Sequence, residues 1–238
     1  VSISSGYLAV SPASTAIQIT GASRTYVVAK RLLDIVLSLL AITALLPLWI
    51  VIALTIKLTS PGPVFYVTES LAMGGRRFRL YKFRTMRHLA DESVHREFIA
   101  NYVRSNRPYL IEVGPNGERR SVYKVVDDPR VTRFGRLLRR SGLDEAPQFI
   151  NVLLGDMSIV GPRSPRPFEY EHYQEWHKQR LTIPQGITGL YQVTARSRAS
   201  FDEMVRIDLE YLRQRSLWLD LRIIAMTIPV MLLGKGGY

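Results

Sequence analysis

The chain of 238 residues is long enough for one or two domains with a buried core, and 47% hydrophobic against 22% charged residues excludes a disordered polymer. Lysine and arginine outnumber aspartate and glutamate by 32 to 20, a net charge of +12 that points to an anionic partner: nucleic acid, a lipid surface or a phosphorylated substrate. Cysteine is absent, which excludes disulfides and thiolate chemistry.

Residues 1–25 are rich in Ser, Thr, Ala and Gly without sustained periodicity; they read as a polar linker or tail and lack a signal-peptide pattern. The composition then changes sharply. From 35 to 56 there are 22 residues without a charge. As one helix they would extend about 33 Å, enough to cross a bilayer core of about 30 Å. Pro47 stands near the middle, where it cannot donate to the Thr43 carbonyl, at a cost of about 3 kcal/mol. Basic residues flank both ends, Arg24, Lys30 and Arg31 before the run and Lys57, Arg76, Arg77, Arg79 and Lys82 after it, so neither side reads as translocated. The expectation is a re-entrant helix hairpin over 26–58, broken at Pro47, with a catalytic domain over 59–238; the alternative is a kinked spanning helix.

Residues 73–87, "MGGRRFRLYKFRTMR", alternate aromatic and basic side chains, as a hairpin strand or an amphipathic interfacial segment would. A helix is expected within 88–126, with a turn at "GPNGERR"; His88 and His95 read as exposed helix residues, not metal ligands. Helical patterns resume over 129–140, 145–154, 167–181, 201–214 and 217–233, with "GDMSIVGPRSPRP" and "IPQGITGLYQVTARS" as loops. The last helix is either a surface amphipathic helix or a core helix.

The stretch "SGLDEAPQF" carries adjacent carboxylates, Asp144 and Glu145. Ser141 looks like the front of a capping box, so a helix is expected to begin between 141 and 145 with the acids at its amino end. That explains the acids as caps. A second explanation comes from Arg139, Arg163 and Arg196, whose guanidiniums suit phosphate oxygens, while one carboxylate could hold a metal and the other attack phosphorus.

These residues carry a resemblance. The order "KR..D" and an apolar run with a central proline, "SPGPVFY", "YKFRTM", "DDPRVTRFGRLLRRSGLDEAPQFINVLLGDMSIVGPR", "GITGLYQV" and "SLWLDL" resembles the bacterial sugar transferase family, the monotopic phosphoglycosyl transferases, over about residues 28–228. The resemblance implies transfer of a sugar phosphate from a UDP-sugar to undecaprenyl phosphate with release of UMP, at the cytoplasmic face of the bacterial inner membrane. It assigns Asp144 as nucleophile, Glu145 as Mg²⁺ ligand, Arg139, Arg163 and Arg196 as substrate-binding residues, and Pro47 as the hairpin break. Gly142 stands where that family more often has a larger residue. The expected fold is α/β and mostly helical, membrane-associated through the N-terminal hairpin and surface amphipathic helices. UDP-sugar, undecaprenyl phosphate and membrane lipid are the expected partners; nucleic acid is not, and a homodimer is compatible. A membrane-anchored nucleic-acid-binding protein and a catalytically inactive scaffold are the competing readings. The first lacks a recognition helix or base-stacking motif, and the intact Asp144 and Glu145 argue against the second.

Overall fold

A computed structural model describes residues 23–113, 119–123, 128–195 and 198–232. Residues 1–22 of the expected N-terminal tail, the turn residues 114–118 and Arg196 lie outside the described residues.

The chain begins with one long helix, α1 (Arg24–Thr59). Ser23 caps it, its hydroxyl accepting from the Tyr26 amide at 3.2 Å, and it stops at Ser60, whose extended backbone leads into Pro61. The helix continues through Pro47, so the two separate arms expected there are not observed: one missing hydrogen bond does not part a helix whose flanking turns are held by packing. Asp34, Ser38, Trp49, Ile52 and Ile56 are buried. At 100° per residue they fall within about 60° of the helix circumference, one stripe along nearly its whole length. The opposite face, with Val36, Leu39, Leu40, Leu46, Ile50, Val51 and Leu54, is exposed and apolar.

Polar side chains lock the first turns of α1 onto several parts of the body. Arg31 donates to the Val152 and Leu153 carbonyls at 2.6 and 2.9 Å, and Asp34 accepts from the Ile159 amide at 3.1 Å. Lys30 pairs with buried Asp220 at 3.0 Å. Toward its other end Trp49 meets Phe83 edge to face.

The ambiguous aromatic-basic segment is a strand. β1 (Phe65–Leu71) and β2 (Arg77–Phe83) form an antiparallel hairpin with Phe65 opposite Phe83, closed by Gly74 and Gly75 at φ 72° and 79°, values that favour glycine. In β2, Phe78 and Leu80 enter the main core and Phe83 packs in a second cluster with Trp49, Ile52 and Ile56 of α1. α2 (Ser93–Ser105) follows, with His95 partly buried in it, whereas His88 lies in an exposed turn before it. A second hairpin pairs β3 (Leu110–Val113) with β4 (Arg119–Val122).

Downstream come α3 (Arg133–Ser141), α4 (Gln148–Leu154), β5 (Ser158–Val160), α5 (Pro167–Tyr170), α6 (Glu175–Lys178), β6 (Gly186–Thr188), α7 (Leu190–Thr194), α8 (Phe201–Gln214) and α9 (Leu217–Leu232). The 167–181 helix is therefore divided, and the two expected loops contain the parallel pair β5–β6, whose three-residue strands are too short to show periodicity. α8 begins with a capping box between Ser200 and Glu203. The main core joins β1, β2, α2, β5 and α8. α9 buries Asp220 and Ile223 and exposes Trp218, Leu221 and Ile228 on one face. The architecture is mostly helical α/β with one long apolar N-terminal helix suited to membrane association.

Candidate active site

α3 positions the site. Thr132 caps it by accepting from Gly135 N at 2.9 Å. It ends at Gly142, which takes φ 70° and donates its amide to the Arg139 carbonyl. Ser141 closes this helix: its hydroxyl donates to the Leu137 and Leu138 carbonyls, which corrects the capping box expected for it. The left-handed residue turns the chain at once into a short 3₁₀ turn, Leu143–Glu145, that carries both acids. α4 begins only at Gln148, so the carboxylates precede that helix and are not within its first turn.

Around the acids the fold gathers cations from three other elements. Lys82, on β2, reaches Glu145 at 2.6 Å. Arg139, on α3, donates through Nε to the Thr85 hydroxyl at 2.9 Å. Arg163 follows β5, with its side chain 48% exposed and its Nη1 3.7 Å from buried Glu169.

The electrostatics separate the two acids. Burial pushes the Asp144 carboxyl up to about 6, and the neighbouring Glu145 adds to this, while Lys82 and Arg139 pull it down. Glu145 is opposed by the same burial, yet Lys82, Arg163 and a hydrogen bond from Gln148 outweigh it and hold it below the ordinary glutamate value. One carboxylate is thus a paired, firmly ionised anion and the other a more basic, less committed one, the arrangement in which adjacent acids take different roles.

Among the described residues no group of three or more His, Asp or Glu is arranged to enclose a metal. Asp144 and Glu145 are adjacent, and Arg139 and Arg163 lie near enough to act on them electrostatically, Arg139 on Asp144 and Arg163 on Glu145. Lys82, Gln148 and Glu169 were not singled out from the sequence. Lys82 stood within the quoted "YKFRTM", and its only signal was a lysine on a strand otherwise built of aromatic, leucine and arginine residues.

The chain matches the family model described as Bacterial sugar transferase over residues 25–234. It belongs to the bacterial sugar transferase family. Among similar proteins is the galactosyl transferase CpsE of Streptococcus agalactiae, 37% identical over 90% of this chain and 44% of CpsE. The exopolysaccharide production protein ExoY of Sinorhizobium fredii is 36% identical over 89% of this chain and 88% of its own length. The UDP-glucose:undecaprenyl-phosphate glucose-1-phosphate transferase of Xanthomonas campestris is 38% identical over 90% of this chain and 40% of that protein. The chain therefore spans under half of two of these relatives and most of the third. The family match runs from α1 through α9, so the long helix and the carboxylate turn belong to one family unit.

Proposed function

We propose that this chain transfers a hexose 1-phosphate from a UDP-sugar to undecaprenyl phosphate, releasing UMP, as the membrane step that begins exopolysaccharide or related glycoconjugate synthesis. The observation that carries the reading is the Asp144–Glu145 turn ringed by Lys82, Arg139 and Arg163. The Xanthomonas relative, a UDP-glucose:undecaprenyl-phosphate glucose-1-phosphate transferase, supplies the substrate class.

The chemistry takes two displacements. An Asp144 carboxylate oxygen attacks the phosphorus that bears the sugar, and the bond from that phosphorus to the bridging oxygen breaks, so that UMP leaves with the electron pair. An oxygen of undecaprenyl phosphate then attacks the same phosphorus, and the bond to Asp144 breaks. The products are the lipid diphosphate sugar and the free carboxylate. A carboxyl near 6 is ionised at pH 7 and more nucleophilic than an ordinary aspartate. The guanidinium of Arg163 binds phosphate oxygens, and Lys82 neutralises charge beside Glu145.

The adjacent carboxylates Asp144 and Glu145, which no third His, Asp or Glu joins among the described residues, suit Mg²⁺, which is commonly bound through one or two carboxylates and substrate phosphates. Glu145 would hold it, and the ion would supply Lewis-acid neutralisation of the diphosphate.

The membrane disposition is part of the proposal. α1 touches the body near Asp34 and again near Ile56, positions about 33 Å apart along a straight helix. A crossing helix would carry its far end away from the body, whereas the single inner stripe keeps both ends on it. Pro47 lies on the outward face, so any bend it imposes curves the helix toward the body. This supports a monotopic disposition at the cytoplasmic face of the inner membrane, with both ends of α1 on one side and its outer apolar face in one leaflet.

The test is UMP release from UDP-glucose, UDP-galactose and UDP-N-acetylhexosamines with undecaprenyl phosphate and Mg²⁺, together with trapping of donor labelled in the sugar-bearing phosphate. Wild type should turn over a plain hexose donor and yield a labelled adduct on Asp144, and Asp144→Asn should lose at least about 10³-fold in rate. Full turnover by the variant would remove Asp144 as nucleophile.

A further inference from the structure

Behind Arg163 lies a group of buried charges with no part in the displacements. Arg180 and Asp208 are each 1% exposed and pair at 2.5 Å. Arg180 also donates to the Tyr173 hydroxyl at 3.0 Å and to the Arg163 carbonyl at 3.1 Å. From the other side, the Arg163 backbone bridges to Gly186, and Gln185 donates to the Arg180 carbonyl at 3.1 Å. The turn that bears Arg163 is thus tied to α8 through one buried guanidinium.

The side chain of Arg163 has its own support. Glu169 is 3% exposed, with one carboxylate oxygen 3.7 Å from the Arg163 guanidinium and the other without a hydrogen-bond partner. A separation of 3.7 Å attracts electrostatically but is too long for a hydrogen bond, so Glu169 does not occupy the guanidinium's donors. Stability alone does not account for these groups. A buried ion pair is often no better than apolar side chains of similar volume, and a buried carboxylate oxygen without a donor is costly.

We propose that Glu169 and the Arg180–Asp208 pair are positioning residues for Arg163: Glu169 aims the guanidinium, Arg180 fixes the carbonyl, and the donors of the fork stay free for the phosphate oxygens of the donor substrate. A long half-exposed arginine otherwise spends much of its time in other rotamers, and removing that freedom before substrate arrives strengthens binding. The proposal rests on the reading of Arg163 as a phosphate-binding residue.

The experiment compares Glu169→Gln, Glu169→Asp, the double variant Arg180→Met/Asp208→Leu and Arg163→Ala, alone and combined. Each is assayed for KM and kcat with UDP-glucose or UDP-galactose, whichever supports turnover, and for its unfolding midpoint in mild detergent. Glu169→Gln is expected to keep the midpoint and raise donor KM at least tenfold, with kcat changed less than KM. Glu169→Asp should recover part of that loss. The double variant should fold and show the same KM effect, and neither change should add to Arg163→Ala. An impaired Arg163→Ala beside a normal Glu169→Gln overturns the positioning role, as do additive effects. A normal Arg163→Ala overturns the phosphate-binding premise, and the proposal with it. The isosteric Glu169→Gln keeps the test decisive should the double variant fail to fold.

Discussion

Asp128 shows how a single side chain ties the stability of the molecule to its site. Its carboxylate accepts from Arg130 Nε and Nη2, the latter at 2.6 Å, and Arg130 donates onward to the Asp91 carbonyl. The hydrogen bond from Arg130 holds the Asp128 carboxyl below the ordinary aspartate value, against the opposing pull of burial, and Arg139 adds to the same effect. A carboxylate depressed on folding contributes stability that is fully present above its unfolded value, near 3.9, and is lost as pH falls through the folded one. Asp128→Asn should therefore lower the unfolding midpoint at pH 7 and flatten its fall below about pH 4. Midpoints in mild detergent between pH 3 and pH 7 check this; parallel acid limbs for the two proteins would remove Asp128 from that role.

Where α3 meets the end of the first hairpin, the approach is so close that only glycine fits. A Cβ on Gly135 would lie 2.0 Å from the Thr85 carbonyl oxygen. That carbonyl already accepts from the Thr132 amide at 3.0 Å, and the Thr85 hydroxyl accepts from Arg139. One threonine thereby sets the distance between β2 and the helix that leads into the carboxylate turn. Gly135→Ala must push α3 away, with an expected loss of about 1–3 kcal/mol or more, typical of overpacking. Because the displaced helix carries Arg139, activity should fall further than stability predicts. Thermal midpoint and donor KM measured on the same variant test this, and an unchanged midpoint would contradict the close approach.

The molecule as a whole presents two kinds of surface along α1. Its inner stripe packs on the body, and its outer face offers Leu39, Leu40, Leu46, Ile50, Val51 and Leu54 to the surroundings. An apolar face of this extent is a liability in water and an anchor in lipid. A lysine placed deep in a hydrocarbon layer costs roughly 2.5–3.5 kcal/mol on insertion scales. Leu46→Lys and Ile50→Lys should each shift protein from the membrane fraction to the soluble fraction, and together more so. Sedimentation with vesicles checks this, and retention equal to wild type would place that face elsewhere than in lipid.

Much of this organisation is readable from the chain alone, and the division follows the range of the forces involved. Length, the absence of charge from 35 to 56 and the basic flanks mark α1, because hydropathy is a property of a contiguous segment. The α8 pattern coincides with its helix at both ends, since its cap and its apolar period are local. The adjacent acids and nearby arginines announce phosphate chemistry by residue type. Other features depend on partners distant in the chain. Ser141 looked like the start of a helix and closes one, because Gly142 adopts a left-handed turn that packing accommodates. β5 and β6 exist only as each other's partners. Lys82 becomes part of the site because a hairpin 63 residues away in sequence brings it to Glu145. Local sequence thus decides which segments are helical, apolar or acidic. Long-range packing alone decides which charges meet, since electrostatic pairing acts through space and leaves no period in the chain.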